Sequence, residues 1–153
     1  MSKKEDIIIT ALRLFNSDSY NSVGVDRIIS ESGVAKMTFY KYFPSKEKLI
    51  EECLLQHNTD LQTSLNATLA ECDPTNHLEQ IRAIFKWYDS WFHSEDFNGC
   101  MFQKALAEVI KIYPSILKPA TQYKVWLTAL IQNLLSNLDI HNPPHLATLI
   151  VSI

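Results

Sequence analysis

The sequence predicts an all-α protein, with an N-terminal three-helix head joined by a long helix to a helical body. Three observations predict it. Apolar residues recur at helical spacing along almost the whole chain. The 153 residues include only three glycines, which leaves little for hairpin-rich β folds. Two short amphipathic stretches near the N-terminus are separated by one glycine, the layout of a helix-turn-helix.

Each element follows from local signals. Ile7, Ile8, Ala11, Leu12, Leu14 and Phe15 define a first helix from about Lys4 to Asn16. The polar run Asn16 to Ser22 is a turn cluster. A second helix spans Val25 to Ser32, with Gly24 at the cap position, Asp26 in the first turn and Gly33 as the left-handed stop. A third runs from Lys36 to Tyr42 and stops before Pro44. Ser45 caps a long fourth helix from Lys46 to about Ala70, whose buried side carries Leu49, Ile50, Cys53, Leu54, His57, Leu61, Leu65 and Leu69. After the break Cys72 to Asn76, a fifth helix covers His77 to Ser94. A sixth covers Cys100 to Ile112. A seventh runs from Pro114 to about Leu138 with a bend expected at Pro119. Asn142-Pro143-Pro144 separates a last apolar stretch, His145 to Ile153.

Composition narrows the function. There is no G-x-G-x-x-G or G-x-x-x-x-G-K-[ST] loop for nucleotides, no H-E-x-x-H, no G-x-S-x-G and no Cys-x-x-Cys, so an enzyme is not expected. No apolar run reaches the ~20 residues of a membrane span, and Ile7-Ile8-Ile9 is too short for a signal peptide, so a cytoplasmic chain with no membrane partner is expected. Cys53, Cys72 and Cys100 are odd in number and widely spaced, the pattern of small buried apolar residues rather than of a disulfide framework. Cys53 and His57 lie four apart on one helix face but lack a second ligand pair, so neither a metal nor a cofactor is expected. Charge is uneven. Residues 1–50 hold eight Lys/Arg against six Asp/Glu, out of totals of 14 and 17. A mildly basic head on an acidic body suits a polyanion partner for the head.

The third helix fits that partner. Phe39 and Phe43, four apart, face the core, while Lys36, Met37, Thr38, Lys41 and Tyr42 lie largely opposite. Tyr40 is set to lay its ring along the edge. Lys46 and Lys48 stand in the first turn of the fourth helix, which itself attracts phosphate. The run Gly33-Val34-Ala35-Lys36-Met37-Thr38-Phe39-Tyr40-Lys41-Tyr42-Phe43-Pro44-Ser45-Lys46-Glu47-Lys48-Leu49 resembles the signature of the TetR/AcrR family of transcriptional regulators. Ala11 to Phe15, Tyr20 and Val25 to Ile29 fall at the spacing that family shows, so the resemblance covers residues 5–52. Ser19 stands where a glycine is usual, and Gly24 where Ser or Thr usually caps the second helix.

The resemblance implies that the third helix enters the major groove of operator DNA. Lys36, Met37 and Thr38 would meet base edges. Tyr40, Lys41, Tyr42 and Lys46 would contact phosphates. It further implies a head of residues 1–48 and an effector-binding and dimerisation body of residues 49–153, incomplete by family length, in a homodimer. Within the body, Trp87, Tyr88, Trp91, Phe102, Tyr123 and Trp126 either line an apolar pocket with His57 and Gln103 as polar groups or simply pack as core. The expected function is a repressor released from its operator by a small apolar or aromatic effector. The alternative is a DNA-binding protein that has lost effector sensing through C-terminal truncation. The closing face Leu146, Leu149, Ile150 and Ile153, with Trp126, Leu127, Leu130 and Leu134 of the seventh helix, is the expected dimer surface.

Overall fold

The computed structural model describes residues 1–152. These form α1 (Lys3–Ser17), α2 (Val25–Ser32), α3 (Lys36–Tyr42), α4 (Lys46–Ala70), α5 (His77–Phe92), α6 (Met101–Glu108), α7 (Leu117–Ser136) and α8 (Pro143–Ser152), with a single 3-10 turn at Pro114–Ile116. No strand occurs among the described residues. The chain divides into two compact units. One comprises Met1–Asn58 and Asn98–Thr121. The other comprises Thr59–Phe97 and Gln122–Ile153, of which Ile153, nominated for the dimer face, lies outside the described residues.

The first unit is built on α1. Ser2 caps it reciprocally: its hydroxyl accepts from the Glu5 N–H at 3.2 Å, and the Glu5 carboxylate accepts from the Ser2 N–H at 2.7 Å. Such a capping box satisfies two otherwise unpaired backbone donors. Ile7, Ala11, Leu14 and Phe15 are fully buried along one face of α1. Phe15 stacks on Tyr20 with ring centroids 4.8 Å apart. Ile28 of α2, Phe39 of α3, Phe43 just beyond it, and Leu49, Ile50, Cys53 and Leu54 of α4 complete the same core. From later in the chain, Met101, Phe102 and Ala105 of α6, with Val109 and Ile116, are also buried in this unit. The second unit buries Leu61 and Leu65 of α4, Ile81 and Ile84 of α5, Tyr123, Leu127, Ile131, Leu134 and Leu135 of α7, and Ala147 of α8.

The expected boundaries hold for α2, α3 and α4. Gly33 ends α2 at φ 69°, a left-handed conformation that glycine takes without a Cβ penalty. Ser45 caps α4 by accepting from the Lys48 N–H at 3.1 Å. Other boundaries differ, α1 by one residue at each end and several of the rest near prolines. The tract expected as helix up to Ile112 leaves α-helix after Glu108. Tyr113 precedes Pro114 and sits at φ −125°, ψ 77°, away from the helical region that a following proline disfavours. Pro119 does not interrupt α7 but falls in its first turn, where an amide N–H would have no partner in any case. Pro143 and Pro144 open α8 rather than separate it from the chain, for the same reason. α5 stops at Phe92, two residues short of the expected Ser94.

Of the nominated dimer face on α7, Trp126 and Leu130 are half-buried. Leu127 and Leu134 are 6% and 7% exposed and belong to the second unit's own core. Val125 of α7 is 69% exposed, and Leu149 of α8 is 49% exposed.

Candidate nucleic-acid interface

The α2–turn–α3 segment is anchored from below. Val34 in the turn is buried, and Phe39 and Phe43, 5.9 Å apart between ring centroids, are fully buried. With one face of α3 fixed in this way, the other is turned outward. Met37 is 87% exposed, among the most exposed apolar side chains described. Lys36 and Lys41 are exposed and Thr38 is half-buried. Tyr40 and Tyr42 are exposed, and the Tyr40 ring leans edge-on against Phe39 at 5.2 Å. The seven-residue α3 carries no acidic residue, and Asp26 of α2 lies 3.9 Å from the Lys36 ammonium. Both partners of that pair are so exposed that it contributes little.

Several other cations of the head are committed to acids or carbonyls. Arg27 pairs with Asp18 at 2.8 Å and with Glu31 at 2.9 Å, and Arg13 reaches Glu31 at 2.6 Å. Hydrogen bonds from Arg13 and Arg27 hold the Glu31 carboxyl below its usual range. Lys48 pairs with Glu51 and Glu52. Lys46 is half-buried. Its ammonium donates to the Tyr20 carbonyl, and burial lowers its pKa while Glu108 opposes the shift. Of the nominated phosphate contacts, Tyr40, Lys41 and Tyr42 therefore stand outward on α3, while Lys46 has at least one of its three donors engaged within the head.

The nominated effector residues fall into both units. In the first, His57 and Phe102 lie with ring centroids 5.1 Å apart, Phe102 is buried, and Gln103 is exposed. In the second, the Tyr88 and Tyr123 hydroxyls share a hydrogen bond at 2.7 Å, and the Trp87 indole N–H donates to the Ser64 hydroxyl at 3.0 Å. Trp87 meets Tyr88 edge-on at 4.9 Å, Trp91 is within 6.0 Å of Tyr88, and Trp126 lies 5.7 Å from Tyr123. Phe92 and Phe97 extend this group. Ser64 and Phe97 were not nominated. No spacing in the sequence links Ser64 to an indole twenty-three positions away. An open hollow of about 710 Å³ in the same unit is lined by Cys72, Glu79, Arg82, Ala83, Phe85 and Lys86.

The three cysteines are free thiols, with Cys53 buried and its pKa pushed up by that burial. Among the described residues, no group of three or more His, Cys, Asp or Glu side chains is placed to hold a metal ion, and no helix is long and apolar enough to cross a membrane.

Comparison with known proteins agrees with this geometry. Residues 7–53 match the sequence model of bacterial regulatory proteins of the tetR family. The chain is 30% identical over 126 residues to the HTH-type transcriptional regulator LmrA of Bacillus subtilis, a match covering 80% of this chain and 66% of that protein. It is 51% identical over 51 residues to the HTH-type transcriptional regulator YuxN of the same organism, covering 33% of this chain and 18% of that one. Among solved structures, a transcriptional regulator of the same class from Streptomyces avermitilis superimposes with a TM-score of 0.85 at 23% identity, over 99% of this chain and 81% of that one. The match over the head, the relatedness to LmrA along most of the chain and the shared all-helical fold place the protein in the TetR family of transcriptional regulators.

Proposed function

We propose that the chain binds operator DNA as a homodimer and acts as a repressor released by a small apolar or aromatic effector. One observation carries the DNA-binding part. Lys36, Met37 and Thr38 stand at the outward N-terminal end of α3 while Phe39 and Phe43 lock the opposite face into the core. Residues 1–48 act as the DNA-binding domain and residues 49–153 as the effector-binding and dimerisation domain. Lys36 pairs with a guanine edge, Met37 meets a thymine methyl, and Thr38 reaches an adjacent base. Tyr40, Lys41, Tyr42 and the remaining donors of Lys46 hold phosphates. Two copies are required because a dyad-related pair of recognition helices reads half-sites about 34–36 Å apart.

The effector reading rests on the second unit's aromatic group. Trp87, Tyr88, Trp91 and Trp126 are only half-buried, and two phenol hydroxyls stand among apolar rings. That composition suits an aromatic ligand bearing a hydrogen-bonding group. α4 runs unbroken from Lys46 to Ala70 and is the route by which the body would influence the head. A cytoplasmic location follows from action on DNA.

Selection of duplexes from a random-sequence pool tests the function directly. Enrichment of a palindrome with half-sites one helical turn apart is expected. A pool with no enriched sequence after repeated selection would defeat the reading.

A further inference from the structure

The C-terminal end of α1 has a problem that its own sequence does not solve. A helix ends with unpaired carbonyls and the negative end of its dipole, and a cation in the last turn is the usual remedy. α1 has no basic residue in its last turn. The Leu14 carbonyl is met locally by the Asp18 N–H and the Ser17 hydroxyl. The carbonyls of Phe15, Asn16 and Asp18 are met instead from α6, by one side chain. The Lys104 ammonium donates to all three, at 3.2, 3.2 and 3.0 Å. Its three N–H donors match three acceptors.

Neighbouring residues on the same face of α6 hold the chain just beyond. The Glu108 carboxylate accepts from the Tyr20 N–H at 2.7 Å, and the Glu108 carbonyl accepts from the Asn21 side-chain amide at 3.3 Å. The buried Tyr20 hydroxyl donates to the Met101 carbonyl at 2.9 Å. Met101, Lys104 and Glu108 recur at helical spacing, so one stripe of α6 clasps the corner between α1 and α2. From that corner the α2–α3 pair departs. Lys46 fastens the corner from α4 by donating to the Tyr20 carbonyl.

We propose that Lys104 is a positioning residue for DNA binding: a charged cap, supplied from α6, that fixes the α1–α2 corner and hence the angle at which α3 is presented. Lys104 does not touch DNA in this arrangement, because its three donors are consumed by backbone carbonyls. The inference rests on the DNA-binding reading above and adds a residue that neither the family signature nor the exposed face of α3 includes.

The experiment uses the full chain and duplexes enriched by it from a random-sequence pool. Lys104→Met keeps the length of the side chain and removes the charge and donors. Affinity for the selected duplex is expected to fall at least tenfold, with the dependence of log affinity on log salt unchanged, since no phosphate contact is lost. Ser17→Lys in the Lys104→Met background restores a cation to the last turn of α1 and is expected to recover part of the loss. Ile84→Val, in the second unit's core, serves as a control for general destabilisation and is expected to leave affinity within twofold. If Lys104→Met does not fold, Lys104→Gln, which retains two N–H donors without charge, is expected to lose about threefold by the same logic. Three results would overturn the proposal: a folded Lys104→Met or Lys104→Gln variant binding within twofold of the parent, a salt slope reduced by one contact, or an equal loss in Ile84→Val. Failure of the parent chain to enrich any duplex would instead overturn the DNA-binding reading itself.

Discussion

Two lysines on α3 are expected to do different work although both are exposed. Lys36 lies at the end proposed to meet base edges, so Lys36→Ala should relax preference at one base position by roughly 1–3 kcal/mol. Lys41 lies in the last turn and should hold a phosphate. Lys41→Ala should weaken binding to all duplexes alike and reduce the salt slope by about one contact. Titrations of both variants at several salt concentrations against single-base variants of the selected site separate the two roles. A change of base preference in Lys41→Ala would reverse the assignment. A different charge sets behaviour in acid. The Glu31 pKa is lowered by its hydrogen bonds to Arg13 and Arg27. Its contribution to stability is therefore present above the ordinary carboxylate pKa and lost as pH falls through the depressed value. Glu31→Gln should lower the Tm at pH 7, and the difference from the parent should shrink toward zero as pH falls below the ordinary carboxylate range. A difference independent of pH would mean that the ion pairs are not its source.

At the scale of elements, the two glycines flanking α2 predict opposite effects. Gly33 sits at φ 69°, and no atom lies within 4 Å of where a Cβ would be. Gly33→Ala therefore meets only backbone strain, about 1–2 kcal/mol, and should lower the unfolding midpoint accordingly. Gly24 caps the other end at φ −81° with open space around it and no side-chain hydrogen bond. Gly24→Ser should gain a few tenths of a kcal/mol by offering a hydroxyl to the first turn. Denaturant titration of both variants checks the signs. These positions also show why the head was legible. α2, α3 and α4 begin and end on local chemistry: a left-handed glycine, a proline two residues past α3, a serine cap. The outward face of α3 follows from the four-residue step between Phe39 and Phe43. The body was less legible because prolines were read as a bend in α7 and as a break before α8, where they occupy first turns. Long-range pairing left no trace in spacing. Nothing local marks Tyr88 for Tyr123, Trp87 for Ser64, or Lys104 for the end of α1.

For the whole molecule, the proposal that effector and operator oppose one another has a consequence that no single site displays. If binding of an aromatic effector lowers DNA affinity by a given factor, bound operator must lower effector affinity by the same factor, because the two routes around the cycle share their end points. Couplings of this kind are typically ~1–3 kcal/mol, or about 5–150-fold. The molecule carries its own reporter, since Trp87, Trp91 and Trp126 all lie in the second unit and are half-buried. A panel of small aromatic compounds carrying hydroxyl groups should therefore contain members that change tryptophan emission. For any such member, titration with and without saturating selected duplex should give two dissociation constants. Their ratio should equal the ratio of duplex affinities measured with and without that compound. Tyr88→Phe with Tyr123→Phe removes the hydroxyl pair and keeps the rings. It should weaken a hydroxylated compound more than its hydroxyl-free analogue. Emission changes that leave duplex affinity untouched would show a site uncoupled from the head. Equal weakening of both analogues would show that the phenol pair is a packing feature of the core, because only a direct hydrogen bond to the ligand distinguishes them.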